Sequence, residues 1–343
     1  MTTYRIAVAG CGGMARTWVE YAIAREDAEI VALVDVRREA AAAMAQQYGL
    51  ACGTYTDLGE AIAESGANLV FDVTIPATHH TIGRTAMEAG CRVLGEKPMA
   101  ATMAEARDLI AVSERTGRSL AVMQNRRYDA NIRALRGLIA GGTIGRVGFA
   151  SADFFIGAHF GGFRDAMESP LILDMAIHTF DQARFITGAD PVSVYCHEFN
   201  PPGSWYEGNA AAVCIFEMSD GSVFNYRGSW CAEGAPTSWE ASWRINGERG
   251  TAIWDGASAP YAEVVKAGDQ EGKFIRDCER TDAALEWSGR SGHHGCLDEM
   301  FAALTEGRRA ETDGRDNIRS MAMVLGAIES ARIGRKVRIE ELI

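Results

Sequence analysis

Tyr4-Arg-Ile-Ala-Val-Ala-Gly10-Cys-Gly12-Gly13-Met14-Ala15 carries an apolar, strand-like run straight into a G-x-G-x-x-A turn. A second apolar run, Ile30–Val36, holds an acid, Asp35, twenty positions after Ala15. Strand, glycine turn, helix, strand and acid in this order form the layout of a dinucleotide-binding βαβ unit. Gly10 permits the tight turn, Gly12 lets backbone approach a pyrophosphate, and Ala15 keeps the helix close to the strand. The helix start offers N–H groups and a positive dipole end to the anion. Asp35 can accept hydrogen bonds from both ribose hydroxyls and repels a 2′-phosphate, which favours NAD. Arg37 and Arg38, just beyond it, can hold that phosphate and so admit NADP.

Outward from this turn, short apolar runs alternate with helix-patterned segments. Strands are expected at Tyr4–Gly10, Ile30–Val36, Leu69–Ile75, Arg92–Gly95 and Leu120–Gln124, and helices at Arg37–Tyr48, Thr81–Ala89 and Met103–Thr116. Such alternation predicts a doubly wound parallel sheet whose ligand sits beyond the carboxyl ends of the strands. After Asn125 the pattern changes. Helix Ile132–Ala140 is followed by strand-like segments at Val147–Ile156, Val192–Phe199, Ala210–Met218, Ser222–Trp230, Trp239–Ile245 and Gly250–Trp254. Trp239–Ile245 alternates apolar and polar residues, which marks a sheet packed on one face. Asp220-Gly221 is a hairpin signal between two of these strands. A helix over Leu171–Thr187 lies against the sheet, and two more close the chain near Cys296–Thr305 and Ile318–Ile333. The expected organisation is a doubly wound α/β domain over 1–125 and an α+β domain with a large, open, mainly antiparallel sheet over 126–343.

A chain of 343 residues with 47% hydrophobic content is long enough for about two globular domains. Its net charge of -12 disfavours a nucleic-acid or anionic-membrane partner. The eight cysteines are scattered with no C-x-x-C pair, so neither a metal site nor a disulfide framework is expected. They read as reduced thiols of a cytoplasmic protein. His293-His294 with Cys296 and Asp298 reads as an ordinary polar helix start rather than a metal set. The tryptophans Trp230, Trp239 and Trp243 read as packing or subunit contacts.

Chemistry concentrates on the helix over Leu171–Thr187. Asp174, His178 and Asp181 fall at i, i+4 and i+7, a single face at 3.6 residues per turn. A carboxylate beside an imidazole fixes its orientation and supports its protonated form. Lys97, in Glu96-Lys97-Pro98 just after a sheet strand, lies on the ligand side of the first domain, where a cation stabilises developing negative charge.

The order and spacing of Gly10–Ala15, Pro76-Ala-Thr-His-His80, Glu96-Lys97-Pro98 and Asp174-x-x-x-His178-x-x-Asp181 resemble the Gfo/Idh/MocA oxidoreductases along essentially the whole chain. Asn125-Arg-Arg127-Tyr-Asp129 is similar to the corresponding segment of the inositol dehydrogenases of that family. The resemblance implies a Rossmann domain for 1–125, and a substrate-binding and oligomerisation domain for 126–343. It implies catalytic roles for Lys97, Asp174 and His178, with Lys97 favouring alkoxide development, His178 as general base and Asp174 as its partner. Cofactor contacts are implied for Gly10, Gly12, Gly13, Met14, Asp35, Arg37, Arg38, Thr74, Ile75, Pro76, His80, Glu96 and Lys97. Substrate contacts are implied for Lys97, Arg127, His159, Asp174, His178 and Asp181. Two departures stand out: Ile75-Pro76-Ala77 replaces the usual Thr-Pro-Asn, and Gly95 stands where a cysteine is common.

Three functions follow as expectations. The first is an NAD- or NADP-dependent dehydrogenase that oxidises a secondary hydroxyl of a cyclic polyol, sugar or sugar derivative, or reduces the matching ketone. A redox-neutral hydrolase or lyase that keeps NAD bound would carry the same groups. A non-catalytic nucleotide sensor is opposed by the intact Lys97, Asp174 and His178. A polyhydroxylated ring is the expected substrate, not an aliphatic alcohol or a 2-hydroxy acid, because a carboxylate substrate would meet two acids of the helix with Arg127 as the only counterweight besides Lys97. No metal is expected, and a homodimer or homotetramer is.

Overall fold

The computed structural model describes residues 4–343, and the chain divides into two compact units. The first takes Met1–Asn125 with His293–Ile318, the second Arg126–Gly292 with Arg319–Ile343.

In the first unit, β1 (Tyr4–Ala9), β2 (Ala28–Val34), β3 (Gly53–Tyr55), β4 (Leu69–Asp72), β5 (Arg92–Gly95) and β6 (Leu120–Val122) alternate with α1 (Ala15–Ile23), α2 (Arg38–Tyr48), α3 (Leu58–Ser65), α4 (His79–Glu88) and α5 (Met103–Thr116). The strands pair in parallel in the order β3-β2-β1-β4-β5-β6. Ile6–Ala9 and Leu69–Asp72 are buried throughout, as strands covered on both faces must be. Helix starts are set locally: the Asp57 side chain accepts the Glu60 N–H, and Thr102 with Glu105 forms a capping box. The three-residue β3 and the eight-residue α3 are too short to stand out by periodicity, and the sequence pattern does not reveal them.

The second unit is built on a nine-stranded sheet in the order β14-β13-β12-β11-β7-β10-β9-β8-β15. Its strands are β7 (Val147–Phe155), β8 (Pro191–Phe199), β9 (Ala211–Met218), β10 (Val223–Ser229), β11 (Ser242–Gly247), β12 (Gly250–Trp254), β13 (Tyr261–Val265), β14 (Cys278–Asp282) and β15 (Val337–Arg338). All neighbours are antiparallel except β7 and β10, which pair in parallel. Asp220-Gly221 turns β9 into β10, with Gly221 at φ 83°. Helix α6 (Ala130–Ala140) opens the unit, and α7 (Ile177–Thr187) packs Phe180 against Phe216, Phe224 and Tyr226 of the sheet.

Three features differ from the sequence expectation. Trp239–Ala241 precedes β11 instead of belonging to it, because Ala241 adopts φ 64°, outside the extended region. Leu171–Ala176 winds as a π-helical turn before α7, so Asp174 does not continue the α-helical row. Finally, most of α8 (Gly292–Glu306) and the start of α9 (Gly314–Ile333) belong to the first unit. Phe301 of α8 packs edge-on to Tyr4 and Phe71, and the Val122 N–H reaches the Thr312 carbonyl, which closes the open edge of β6.

Candidate active site

In the first unit the ends of β1, β2 and β4 frame a cavity of about 440 Å3. Gly10, Gly12, Asp35, Arg37, Thr74 and Ile75 line it, as do Thr56, Asp57, Thr78, Thr81 and Thr85. The two turn glycines serve different needs. Gly10 has φ 88°, and a Cβ there would lie 2.5 Å from the Val73 carbonyl oxygen. At Gly12 and Gly13 a Cβ would meet nothing within 4 Å. That open space sits beside the start of α1, which has no side-chain cap and no acid in its first turn. N–H groups and dipole are therefore presented to an anion, and the cradle fits a dinucleotide pyrophosphate.

Asp35 is oriented by two backbone donors, Cys11 N–H at 2.9 Å and Arg37 N–H at 2.9 Å. Burial, and then the Asp35 charge, push the Cys11 thiol up to about 12, so it stays protonated in the turn. Asp72 accepts from the Thr74 hydroxyl at 2.6 Å and pairs with buried His79 at 2.8 Å, which fixes the β4 end. Met14 precedes α1, Pro76 begins a 3-10 turn, and Glu96 accepts the Trp18 indole N–H at 2.9 Å. Lys97 follows directly, half-buried at the end of β5. Of the sequence candidates for cofactor contact, Gly13, Met14, Arg38, Pro76, His80, Glu96 and Lys97 are not among the residues that line the cavity. His80 is drawn to Asp108 of α5 at 2.8 Å, and Arg38 is exposed outside the cavity lining. The threonines at 78, 81 and 85, repeating at helical spacing along one side of α4, are the signal the sequence reading left unused.

In the second unit, His178 is buried in the first turn of α7, and Asp174 lies in the π turn just before it. Asp174 accepts from Arg164 Nε at 2.8 Å. Arg127 and Asp181 are a different matter. They form a bidentate pair at 2.7 and 2.6 Å, both buried, and Ser320 donates to the same carboxylate at 2.7 Å. Paired in this way, Arg127 and Asp181 tie α7 to the start of the second unit. His159 is exposed, stacked on Trp205 with ring centroids 3.7 Å apart and bonded to Glu233 at 2.7 Å.

Arg126 occupies the position the sequence reading passed over. Its side chain donates to the Trp239 carbonyl oxygen and lies 3.7 Å from Glu240, whose other oxygen accepts from Gln182 at 2.6 Å. Burial pulls the Arg126 guanidinium below its ordinary range and pushes the Glu240 carboxyl above its own.

Two family models match this chain. The oxidoreductase family model with an NAD-binding Rossmann fold matches residues 4–124, and the Gfo/Idh/MocA C-terminal domain model matches residues 132–253. The chain belongs to the Gfo/Idh/MocA family. A D-apiose dehydrogenase from Paraburkholderia graminis is 27% identical, over 99% of this chain and 90% of that one. A 1,5-anhydro-D-fructose reductase from Ensifer adhaerens is 25% identical, over 98% of each. An Agrobacterium radiobacter oxidoreductase solved with NAD+, L-tartaric acid and magnesium has the same fold, with a TM-score of 0.85 over 100% of both chains at 24% identity. As a member of the family, the protein is an oxidoreductase with an NAD-binding Rossmann domain. Among the described residues, no helix is long and apolar enough to cross a membrane.

Proposed function

We propose that this Gfo/Idh/MocA protein is an NAD-dependent dehydrogenase that oxidises a secondary hydroxyl of a cyclic polyol, sugar or sugar derivative, or reduces the matching ketone. One observation carries this: a buried histidine, His178, follows a carboxylate, Asp174, on the segment Leu171–Thr187, in a chain that also bears a dinucleotide cradle. Relatives matched along almost the full chain are named for apiose and anhydrofructose chemistry, which supports the substrate class.

NAD, when bound, supplies the hydride-accepting nicotinamide. Gly12 and the α1 N-terminus would hold its pyrophosphate, and Asp35 its ribose. Lys97 stabilises negative charge on the reacting oxygen, and His178 takes the hydroxyl proton. Asp174 orients His178 and favours its protonated form once the proton has moved. Arg127 and Asp181 position α7.

Lys97→Ala and His178→Ala are expected to keep the wild-type thermal transition and NADH binding. Their kcat, followed as NADH formation, should fall by roughly two orders of magnitude or more. An unchanged kcat in either variant removes that residue from the mechanism. Buried thiols such as Cys91, Cys196 and Cys214 suit a reducing compartment, and we place the enzyme in the cytoplasm. Recovery of its activity in a membrane or secreted fraction would refute that placement.

A further inference from the structure

Arg126 and Arg127 are sequence neighbours with opposite fates. The Arg127 fork is filled by Asp181. The Arg126 side chain is only 13% exposed, yet among the described residues one of its five N–H donors is used, by the Trp239 carbonyl. Its nearest carboxylate, Glu240, stands at 3.7 Å, beyond hydrogen-bond length, and is turned to Gln182. Asp174, within electrostatic reach of Arg126, is already bonded to a second guanidinium, Arg164, at 2.8 Å. The Tyr226 hydroxyl is fully buried, interacts electrostatically with Arg126, and has no hydrogen-bond partner among the described residues.

Asp174 thus faces two guanidiniums, and burial weakens Glu240 as an anion. A half-buried cation with unspent donors is best satisfied when an anionic oxygen reaches it, and guanidinium geometry matches a carboxylate. The bidentate neutralisation of Asp181 by Arg127 also removes the repulsion that an acidic substrate would otherwise meet from that residue.

We propose that Arg126 anchors a carboxylate on the substrate, so that the preferred substrates are sugar acids rather than neutral sugars. The inference rests on the dehydrogenase assignment for its catalytic consequence, but not for binding. It is tested with two matched pairs, glucuronate against glucose and galacturonate against galactose. NADH formation is measured for each, together with quenching of tryptophan fluorescence by the same sugars in the presence of NADH. Wild-type kcat/KM should favour the acid of at least one pair by about ten- to a hundredfold, the scale of a hydrogen bond to a charged group. Arg126→Gln should bring that ratio near one and abolish saturable quenching by the acid. Arg126→Lys, which keeps the charge, should retain part of the preference and covers the case in which the glutamine variant fails to fold. Equal use of acid and neutral sugar by wild type, or an equal loss on both in Arg126→Gln, overturns the proposal and leaves the dehydrogenase assignment standing. Saturable, Arg126-dependent binding of an acid without NADH formation from any sugar supports the anchor and counts against the dehydrogenase. Absence of both acid binding and turnover overturns both.

Discussion

Gly10 and Gly12 are two residues apart and serve unrelated purposes. Gly10 is required by the protein's own backbone: its left-handed φ and its approach to the Val73 carbonyl exclude a side chain. Gly12 has room on the protein side, so we propose that a Cβ there would meet only a bound pyrophosphate. Gly10→Ala is expected to lower the thermal transition markedly. Gly12→Ala should melt near wild type but weaken NADH binding about tenfold or more, as read by fluorescence titration. Equal stability loss in both variants, or undisturbed NADH affinity in Gly12→Ala, would contradict this division.

The segment Leu171–Thr187 illustrates how an element carries a site. Its π turn sets Asp174 off from the following α-helix, and the clamp of Arg127, Asp181 and Ser320 fixes the helix from its buried side. Removing one partner of a buried pair leaves an uncompensated charge. Arg127→Ala or Asp181→Ala should therefore cost about 3–5 kcal/mol in denaturant unfolding. The double replacement Arg127→Met with Asp181→Leu should cost clearly less than the sum of the single changes. Single variants of wild-type stability with altered sugar preference would instead support a direct substrate role. The sequence made α7 legible through its length and polar row, and the first sheet through runs such as Arg92–Gly95, which coincides with β5. What it hid were features set by tertiary contact. Periodicity shows neither the π turn nor the short β3, and nothing in Asn125-Arg-Arg127 tells which arginine turns to Asp181. Likewise, the recruitment of α8 to the first unit depends on Phe301 finding Tyr4 and Phe71.

At the scale of the whole molecule, the nine-stranded sheet is covered by α7 on one face and leaves apolar side chains on the other. Tyr195, Phe199, Val213, Ile215 and Phe149 are exposed there, and Tyr195 stands opposite Ile215 in the ladder. A patch of this kind on a protein of net charge -12 fits a self-complementary surface, and we propose that it joins two copies. Sedimentation should show a dimer or tetramer for wild type and a smaller species for Ile215→Glu, whereas a monomeric wild type would refute it. The central claim is net removal of hydride from a carbinol carbon, as opposed to transient oxidation with the hydride returned. The most direct measurement uses a substrate identified by NADH formation, deuterated at the reacting carbon, with the label followed by mass spectrometry in cofactor and product. The account predicts one deuterium in each released reduced nicotinamide and none at that carbon of the ketone product. Product that keeps the deuterium, with no labelled cofactor released, would contradict it and establish redox-neutral chemistry instead.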